Sequence, residues 1–211
     1  MDDKVFYTEE GGNSVGLAQN ENKKQVLLIG DSIRVGYSDF VKENLKDIAD
    51  VYFPNENCRN TQYIITAFRS WRSLCDPEKV NVIHFNAGHW DVAHWSNIGD
   101  SLTTLDEYGK NLCKIIAIMR LLYPNAKIIF ATTTPMSPNY SETINPRTTK
   151  EIIEYNNIAK KVCLENNVII NDLFNLCKNW TGDMFKDYAH LVEDGYKQLA
   201  NQVSKEIKKI F

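Results

Sequence analysis

The 211-residue chain is 43% hydrophobic, which is enough to bury a full core and falls within the usual range of one domain. Its formal net charge of −3 excludes the strongly cationic surface that nucleic acid or an anionic membrane would require, so neither partner is expected. The five cysteines form an odd set without a Cys-x-x-Cys pair or zinc-like spacing, which favours reduced structural thiols over disulfides or a metal site.

The first 24 residues are polar, acidic and rich in asparagine, and they lack the apolar stretch of a signal peptide. The pair Gly11 and Gly12 indicates a flexible arm rather than a packed element. No later apolar run approaches the ~18 residues of a membrane span. We therefore expect an N-terminal arm over residues 1–24, a single domain over residues 25–211, and a cytoplasmic protein.

Strands and helices are expected to alternate from residue 25 onward. The continuous apolar run from Gln25 to Ile29 is typical of a strand buried on both faces, and apolar residues at helical spacing predict a helix from Ser32 to Leu45. The pattern continues with strands at 50–53, 80–86, 127–132 and 168–171, and with helices at 61–74, 105–122, 147–166 and about 192–210. This alternation predicts an α/β fold, a three-layer αβα sandwich with a five-stranded parallel sheet.

Sheets of this kind bind ligands in the crevice at the carboxyl ends of their strands. The segments that follow the five predicted strands are residues 30–32, 55–61, 86–91, 133–146 and 172–190. We expect these segments to share one rim, and reactive side chains within them are the candidates for a functional site.

Ser32 follows a glycine at the end of a buried strand and opens a helix. Its hydroxyl is expected at the rim beside unsatisfied backbone N–H groups, where the helix dipole favours developing negative charge. A serine in this position is also a common helix cap. Ser32 alone therefore leaves a nucleophile and a cap as alternatives.

Asp187 and His190 lie three residues apart, just before the last predicted helix. A carboxylate at this spacing can accept a hydrogen bond from the imidazole Nδ1–H and leave Nε2 facing a serine. A surface Asp-His pair is the alternative. Because this pair and Ser32 fall on the same expected rim, a Ser-His-Asp triad is favoured.

Three blocks in this order resemble the SGNH (GDSL-like) hydrolase family: Gly30 to Ser32, Asn86 to Asp91, and the sequence DYAH ending at His190 with LVEDGYKQLA after it. The resemblance spans about residues 25–205. It implies a flavodoxin-like fold and ester hydrolysis without a cofactor. It also implies that Ser32 is the nucleophile, that His190 is the general base and then acid, and that Asp187 orients the imidazole.

The resemblance further implies an oxyanion hole made of the Ser32 backbone N–H, a backbone N–H in the second block and an asparagine in the third. The sequence departs from the family pattern at the last two. The customary glycine aligns with Cys58, whose N–H is expected to serve in its place, and the customary asparagine aligns with Trp90. We expect the Asn86 side chain to replace the missing amide, with Asn60 as the fallback.

Asp31, His89, Trp90 and Trp95 are expected to bind substrate. The tryptophans, together with Tyr140, suit either stacking on a sugar ring or a local hydrophobic cluster.

A cysteine nucleophile and a histidine metal site are less favoured. A Cys58 nucleophile is disfavoured because no histidine is local to it in sequence. His84, His89 and His94 lack zinc-like spacing, so no metal is expected, and His84 is expected to pack in the sheet. Arg34 is expected to face water or form an ion pair.

The leading hypothesis is a serine esterase for short acyl groups, with acetyl groups on carbohydrate assigned by analogy alone. A close alternative is an acyl thioesterase or lysophospholipase-like hydrolase. An alternative of another class is a binding module that has kept this fold and lost its oxyanion hole, which the presence of all three triad residues disfavours. The expected partner is a small-molecule or carbohydrate acyl ester, and the oligomeric state is left open.

Overall fold

The computed structural model describes residues 23–95, 98–139 and 144–211. Residues 1–22, which make up nearly all of the expected arm, and the rim residue Tyr140 lie outside the described residues. The strands are β1 (Lys24–Ile29), β2 (Ala49–Tyr52), β3 (Val80–Phe85), β4 (His94–Trp95), β5 (Ile98–Ser101), β6 (Lys127–Ala131) and β7 (Ile169–Asn171). The α-helices are α1 (Ser32–Leu45), α2 (Thr61–Ala67), α3 (Leu105–Leu122), α4 (Thr149–Glu165), α5 (Leu173–Cys177) and α6 (Glu193–Lys208), and short 3-10 helices occupy Ser70–Leu74 and Gly182–Met184.

The prediction of an α/β fold with a five-stranded parallel sheet is confirmed. The strands run parallel in the order β2-β1-β3-β6-β7. Val26 and Leu28 of β1 pack with α1 and α6 on one face of the sheet, whereas Leu27 and Ile29 pack with α2, α3 and α4 on the other. This alternation buries β1 on both faces and explains its uninterrupted apolar sequence.

Three local features differ from the prediction. The helix expected over 61–74 ends at Ala67 and resumes as a 3-10 helix, because the Thr66 and Ser70 hydroxyls bond to backbone carbonyls and compete with regular helix geometry. The helix expected from 147 begins at Thr149, because Thr148 and Glu151 form a capping box. The β4-β5 hairpin and α5 were not predicted, since both are too short to produce a periodic pattern.

The strand order determines where a ligand can bind. The chain leaves β1 for β2 on one side and later returns to β3 on the other side, so a crevice opens between the carboxyl ends of β1 and β3. The segments after these two strands begin at Gly30 and Asn86. None of the helices in the described ranges is long and apolar enough to cross a membrane.

Candidate active site

The turn Gly30-Asp31-Ser32 joins β1 to α1 and determines where the Ser32 hydroxyl lies. Asp31 is the N-cap of α1, since its Oδ1 accepts a hydrogen bond from the Ile33 N–H at 2.9 Å. Ser32 is therefore not needed as a cap, and it lies partly exposed at the start of the helix. Glycine is required at position 30 because a Cβ there would lie 2.0 Å from Asn86 Oδ1, just beyond the end of β3.

The three predicted triad residues meet at this turn, although 158 positions separate Ser32 from His190. The Ser32 Oγ lies 2.8 Å from the His190 Nε2. On the other side of the ring, the His190 Nδ1 lies 2.8 Å from Asp187 Oδ2 and 3.0 Å from Asp187 Oδ1. With the Nδ1–H donating to the carboxylate, Nε2 carries a lone pair and can accept the Ser32 proton.

Asp187 is held in its charged form by its surroundings. Its Oδ1 also accepts hydrogen bonds from the backbone N–H groups of Ala189 at 2.9 Å and His190 at 2.8 Å. Burial raises the pKa of the Asp187 carboxyl, but these N–H groups and the His190 imidazole outweigh that effect and hold the pKa below its ordinary value. An ionised Asp187 can orient the imidazole and stabilise positive charge on it.

Backbone hydrogen bonds fix the loop that carries Asp187 and His190. The Lys186 N–H donates to the His190 carbonyl at 2.8 Å and closes the loop. From the neighbouring rim loop, the Ser137 N–H donates to the Tyr188 carbonyl at 2.9 Å. The imidazole is therefore presented by a short, cross-linked loop that precedes α6.

The prediction that Arg34 faces water or forms an ion pair is wrong. Arg34 is buried and bonds to backbone carbonyls. Its Nη1 donates to the Pro54 carbonyl at 2.9 Å, its Nε donates to the Gly30 carbonyl at 3.4 Å, and its Nη2 donates to the Glu56 carbonyl. A guanidinium offers five N–H groups, which suits a loop whose buried carbonyls would otherwise lack partners. Arg34 thus ties the loop after β2 to the nucleophile turn.

The prediction that the Cys58 backbone N–H serves as an oxyanion donor is also wrong, because this N–H already donates a hydrogen bond within the protein. That N–H donates to the Gly30 carbonyl at 3.0 Å, so it does not face a substrate oxygen. The left-handed backbone conformation that favours glycine occurs one residue later, at Arg59, with φ of 51°. Burial raises the pKa of the Cys58 thiol, which argues further against a thiolate nucleophile.

The two asparagines proposed as oxyanion donors occupy different positions. Asn86 is only 4% exposed, its side chain packs against Gly30 of the nucleophile turn, and its Oδ1 accepts the Tyr37 hydroxyl at 3.5 Å, so it does not face substrate. Asn60 is partly exposed and caps α2, with its Oδ1 accepting the Tyr63 N–H at 2.9 Å. The capping bond uses the Asn60 oxygen and leaves its NH₂ group available as a donor.

Two of the four predicted substrate contacts are buried. Asp31 is wholly buried, and His89 is 2% exposed with its Nε2 3.0 Å from the Thr134 hydroxyl, so the structure contradicts direct contact for both. Trp90 is half-buried in the segment that follows β3, and Trp95 is 45% exposed on β4. The tryptophans remain candidates for substrate contact.

Asp91 has a structural role that the sequence did not reveal. Its carboxylate accepts the Thr61 N–H at 3.1 Å and the Thr61 hydroxyl at 2.6 Å, and the Asn111 amide donates to the same hydroxyl at 3.1 Å. Burial raises the pKa of Asp91 to about 6, although the hydrogen bonds from Thr61 oppose that rise. Asp91 thereby fixes the start of α2 beside the crevice. The sequence signal for this role was a carboxylate in the segment that follows β3.

The remaining histidines have partners of other kinds. His84 is buried in the sheet, as expected, and its Nε2 accepts the Asn171 amide at 3.1 Å. His94 pairs with Glu151 at 2.8 Å. Over the parts of the chain that the structure describes, no three histidine, cysteine or acidic side chains form a group that could hold a metal ion.

The chain matches the model of the GDSL-like Lipase/Acylhydrolase family over residues 28–198. It is 23% identical to the GDSL esterase/lipase WDL1 of Oryza sativa subsp. japonica, over 96% of this chain and 73% of that protein. Its fold is similar to that of the acetyl xylan esterase AlAXEase, with a TM-score of 0.69 and 20% identity over 87% of this chain and 99% of that one. A variant of the acetyl xylan esterase Axe2 from Geobacillus stearothermophilus gives a TM-score of 0.69 and 18% identity, over 87% of this chain and 94% of that one.

Proposed function

The chain belongs to the GDSL-like lipase/acylhydrolase family and is a carboxylic ester hydrolase, and from this we propose that it removes short acyl groups, above all acetyl groups, from carbohydrate alcohols. The observation that carries the proposal is the 2.8 Å contact between the Ser32 Oγ and the His190 Nε2, with Asp187 on the opposite nitrogen. This is the arrangement that a serine nucleophile needs for activation by a general base.

In the proposed reaction, the Ser32 Oγ attacks the ester carbonyl carbon while its proton passes to the His190 Nε2. The tetrahedral intermediate collapses by breaking the bond to the alcohol oxygen, and that oxygen takes the proton from His190. A water molecule then attacks the acyl-enzyme and gives its proton to His190. The acid leaves as the proton returns to the Ser32 Oγ. Asp187 stays ionised throughout and stabilises the imidazolium.

We assign the oxyanion donors to the Ser32 backbone N–H, at the start of α1, and to the NH₂ group of Asn60. The N-terminus of α1 adds a favourable dipole for the negative charge that develops on the carbonyl oxygen. Asn60 is preferred over Asn86 because it is partly exposed, whereas Asn86 is buried. Loss of one such donor typically slows turnover by roughly 100- to 1,000-fold.

The carbohydrate assignment is supported by two features. Trp90, in the segment after β3, and Trp95, on β4, have exposed or partly exposed aromatic rings, and flat rings of this kind stack on sugars. Two proteins of similar fold are acetyl xylan esterases. An acyl thioesterase or lysophospholipase-like activity is the competing assignment, and it would require preference for longer acyl chains.

The test compares p-nitrophenyl acetate, p-nitrophenyl octanoate and an acetylated xylo-oligosaccharide as substrates. Wild-type protein is expected to prefer acetate over octanoate and to release acetate from the oligosaccharide. Ser32→Ala and His190→Ala are expected to lose at least ~1,000-fold in kcat, whereas Ser70→Ala, an exposed serine on a 3-10 helix, serves as the matched control. Equal rates for wild type and both triad variants would indicate the binding module, and preference for octanoate would indicate the lipase-like alternative.

A further inference from the structure

Arg147 places a positive charge close to the triad. It directly precedes Thr148, the N-cap of α4. Its Cζ lies 5.3 Å from the centre of the Tyr188 ring, and that ring meets the His190 ring edge to face, with the two centres 6.1 Å apart. Two successive ring contacts therefore join the guanidinium to the imidazole that faces Ser32, and stacking on Tyr188 restricts the plane of the guanidinium.

No carboxylate among the described residues forms an ion pair with Arg147. Its Nε is buried and has no hydrogen-bond partner within the same described ranges. Burial lowers the pKa of Arg147, but a guanidinium stays charged at neutral pH. A half-buried cation without a paired anion is costly, so its presence beside a substrate site points to an anionic ligand.

The charged groups around Arg147, among the residues that the structure describes, leave its charge available. Asp31 interacts electrostatically with Arg147, but its carboxylate is wholly buried and burial raises its pKa, which weakens it as a counter-ion. Asp187 is already engaged with His190. His89 is kept neutral, because burial and the nearby charges of Arg147 and His190 hold its pKa well below the ordinary value. None of these groups therefore neutralises Arg147 by direct pairing.

We propose that Arg147 binds a carboxylate on the alcohol half of the ester, so that this enzyme selects acetyl esters of acidic alcohols such as acidic sugars. This inference rests on the proposed function. The acetyl group of a bound ester is uncharged, so a permanent anion on the substrate must belong to the alcohol. The planar fork of a guanidinium matches the two oxygens of a carboxylate, and phosphate offers the same pair of oxygens and is tested separately.

The experiment uses two acetyl esters of equal size, anionic 4-acetoxybenzoate and neutral 4-acetoxybenzamide. Wild-type enzyme is expected to show at least tenfold higher kcat/KM for the benzoate, mainly through KM. Arg147→Gln is expected to lower the benzoate-to-benzamide ratio of kcat/KM by roughly 10- to 100-fold, the range for a lost charge-assisted hydrogen bond. Arg147→Lys keeps the charge without the fork and is expected to fall between them. Arg120→Gln, at the last turn of α3, is the matched control and should keep the wild-type ratio.

Several outcomes would overturn the inference. A wild-type enzyme that hydrolyses both esters at similar kcat/KM refutes the carboxylate site and leaves the esterase function intact, whereas hydrolysis of neither refutes the proposed function as well. Equal losses on both esters in Arg147→Gln would assign Arg147 to structural support of the loop that carries Tyr188. A preference for 4-acetoxyphenyl phosphate over the benzoate would replace carboxylate by phosphate. If Arg147→Gln does not fold, inhibition of wild type by 4-hydroxybenzoate no stronger than by 4-hydroxybenzamide refutes the site.

Discussion

Asp187→Asn is the change that separates the orienting role of this side chain from its contribution to the fold. An asparagine Oδ1 can still accept the N–H groups of Ala189 at 2.9 Å and His190 at 2.8 Å, so the loop should keep its shape. The second oxygen, which lies 2.8 Å from the His190 Nδ1, becomes an NH₂ group. The NH₂ group would then be closer to Nδ1 than Oδ1, which lies 3.0 Å away and already accepts two backbone N–H groups, so Nδ1 should accept the amide hydrogen and the imidazole should carry its proton on Nε2 instead.

An Nε2–H cannot accept the Ser32 proton. We therefore expect kcat/KM for p-nitrophenyl acetate to fall by roughly 10⁴-fold, the size known for the equivalent change in serine proteases and equal to about 5.4 kcal/mol of transition-state stabilisation. The thermal midpoint of unfolding should change by less than about 2 °C, because the backbone contacts are kept. Asp183→Asn, an exposed carboxylate in the same loop region, is the control and should retain activity. A fall of less than tenfold in Asp187→Asn would refute the assigned tautomer.

Three further predictions concern groups around the triad. Asn60→Ala should lower kcat by roughly 100-fold or more with little change in KM, whereas unchanged turnover would return the oxyanion role to Asn86 or to backbone groups alone. Cys58→Ala should stay within about threefold of wild-type activity, and thiol reagents should inhibit the wild type no more than this variant. The reason is that a buried thiol with a raised pKa is a poor nucleophile. Burial lowers the pKa of His84 to about 3, so its contribution to stability is complete above its unfolded value of about 6.5 and is lost as the pH falls toward 3. In urea titrations from pH 6.5 to 4.5, wild type should therefore lose up to about 1.4 kcal/mol of unfolding free energy per pH unit more than His84→Asn, and parallel slopes would contradict this.

The fold was predictable because its central elements have long periodic patterns. The helices at α1 and α3 begin and end at the residues that their apolar spacing predicted, and β1 was recognised from an apolar run that both faces of the sheet require. The β4-β5 hairpin was not predicted, since its strands of two and four residues, HW and IGDS, show neither a continuous nor an alternating apolar pattern. The presence of an apolar pattern within an element, more than its length, decided whether the element could be predicted.

Within the site, local chemistry was predictable and the direction of each side chain was not. Asp187 and His190 are three residues apart, so their contact follows from one turn of chain. The positions of Arg34 and Asn86 depend on the distance between β1 and β3 and on the path of the loop after β2, neither of which a linear pattern contains. The sequence does not indicate a role for Arg147 for the same reason, because only the folded chain brings it against Tyr188.

The sequence departs from the family pattern at Cys58 and Trp90. These departures leave the support of the nucleophile turn intact. The Gly30 carbonyl accepts both the Cys58 N–H and Arg34, so the second block holds the turn in place even without a glycine at position 58. Asn86, which directly follows β3, packs against the same turn at Gly30. Rigid support for Ser32 is thus retained from two directions, and under the proposed function what changes is the group that binds the oxyanion. Rate losses from Asn60→Ala should therefore appear in kcat without any fall in thermal stability beyond the loss of one helix cap, about 1 kcal/mol.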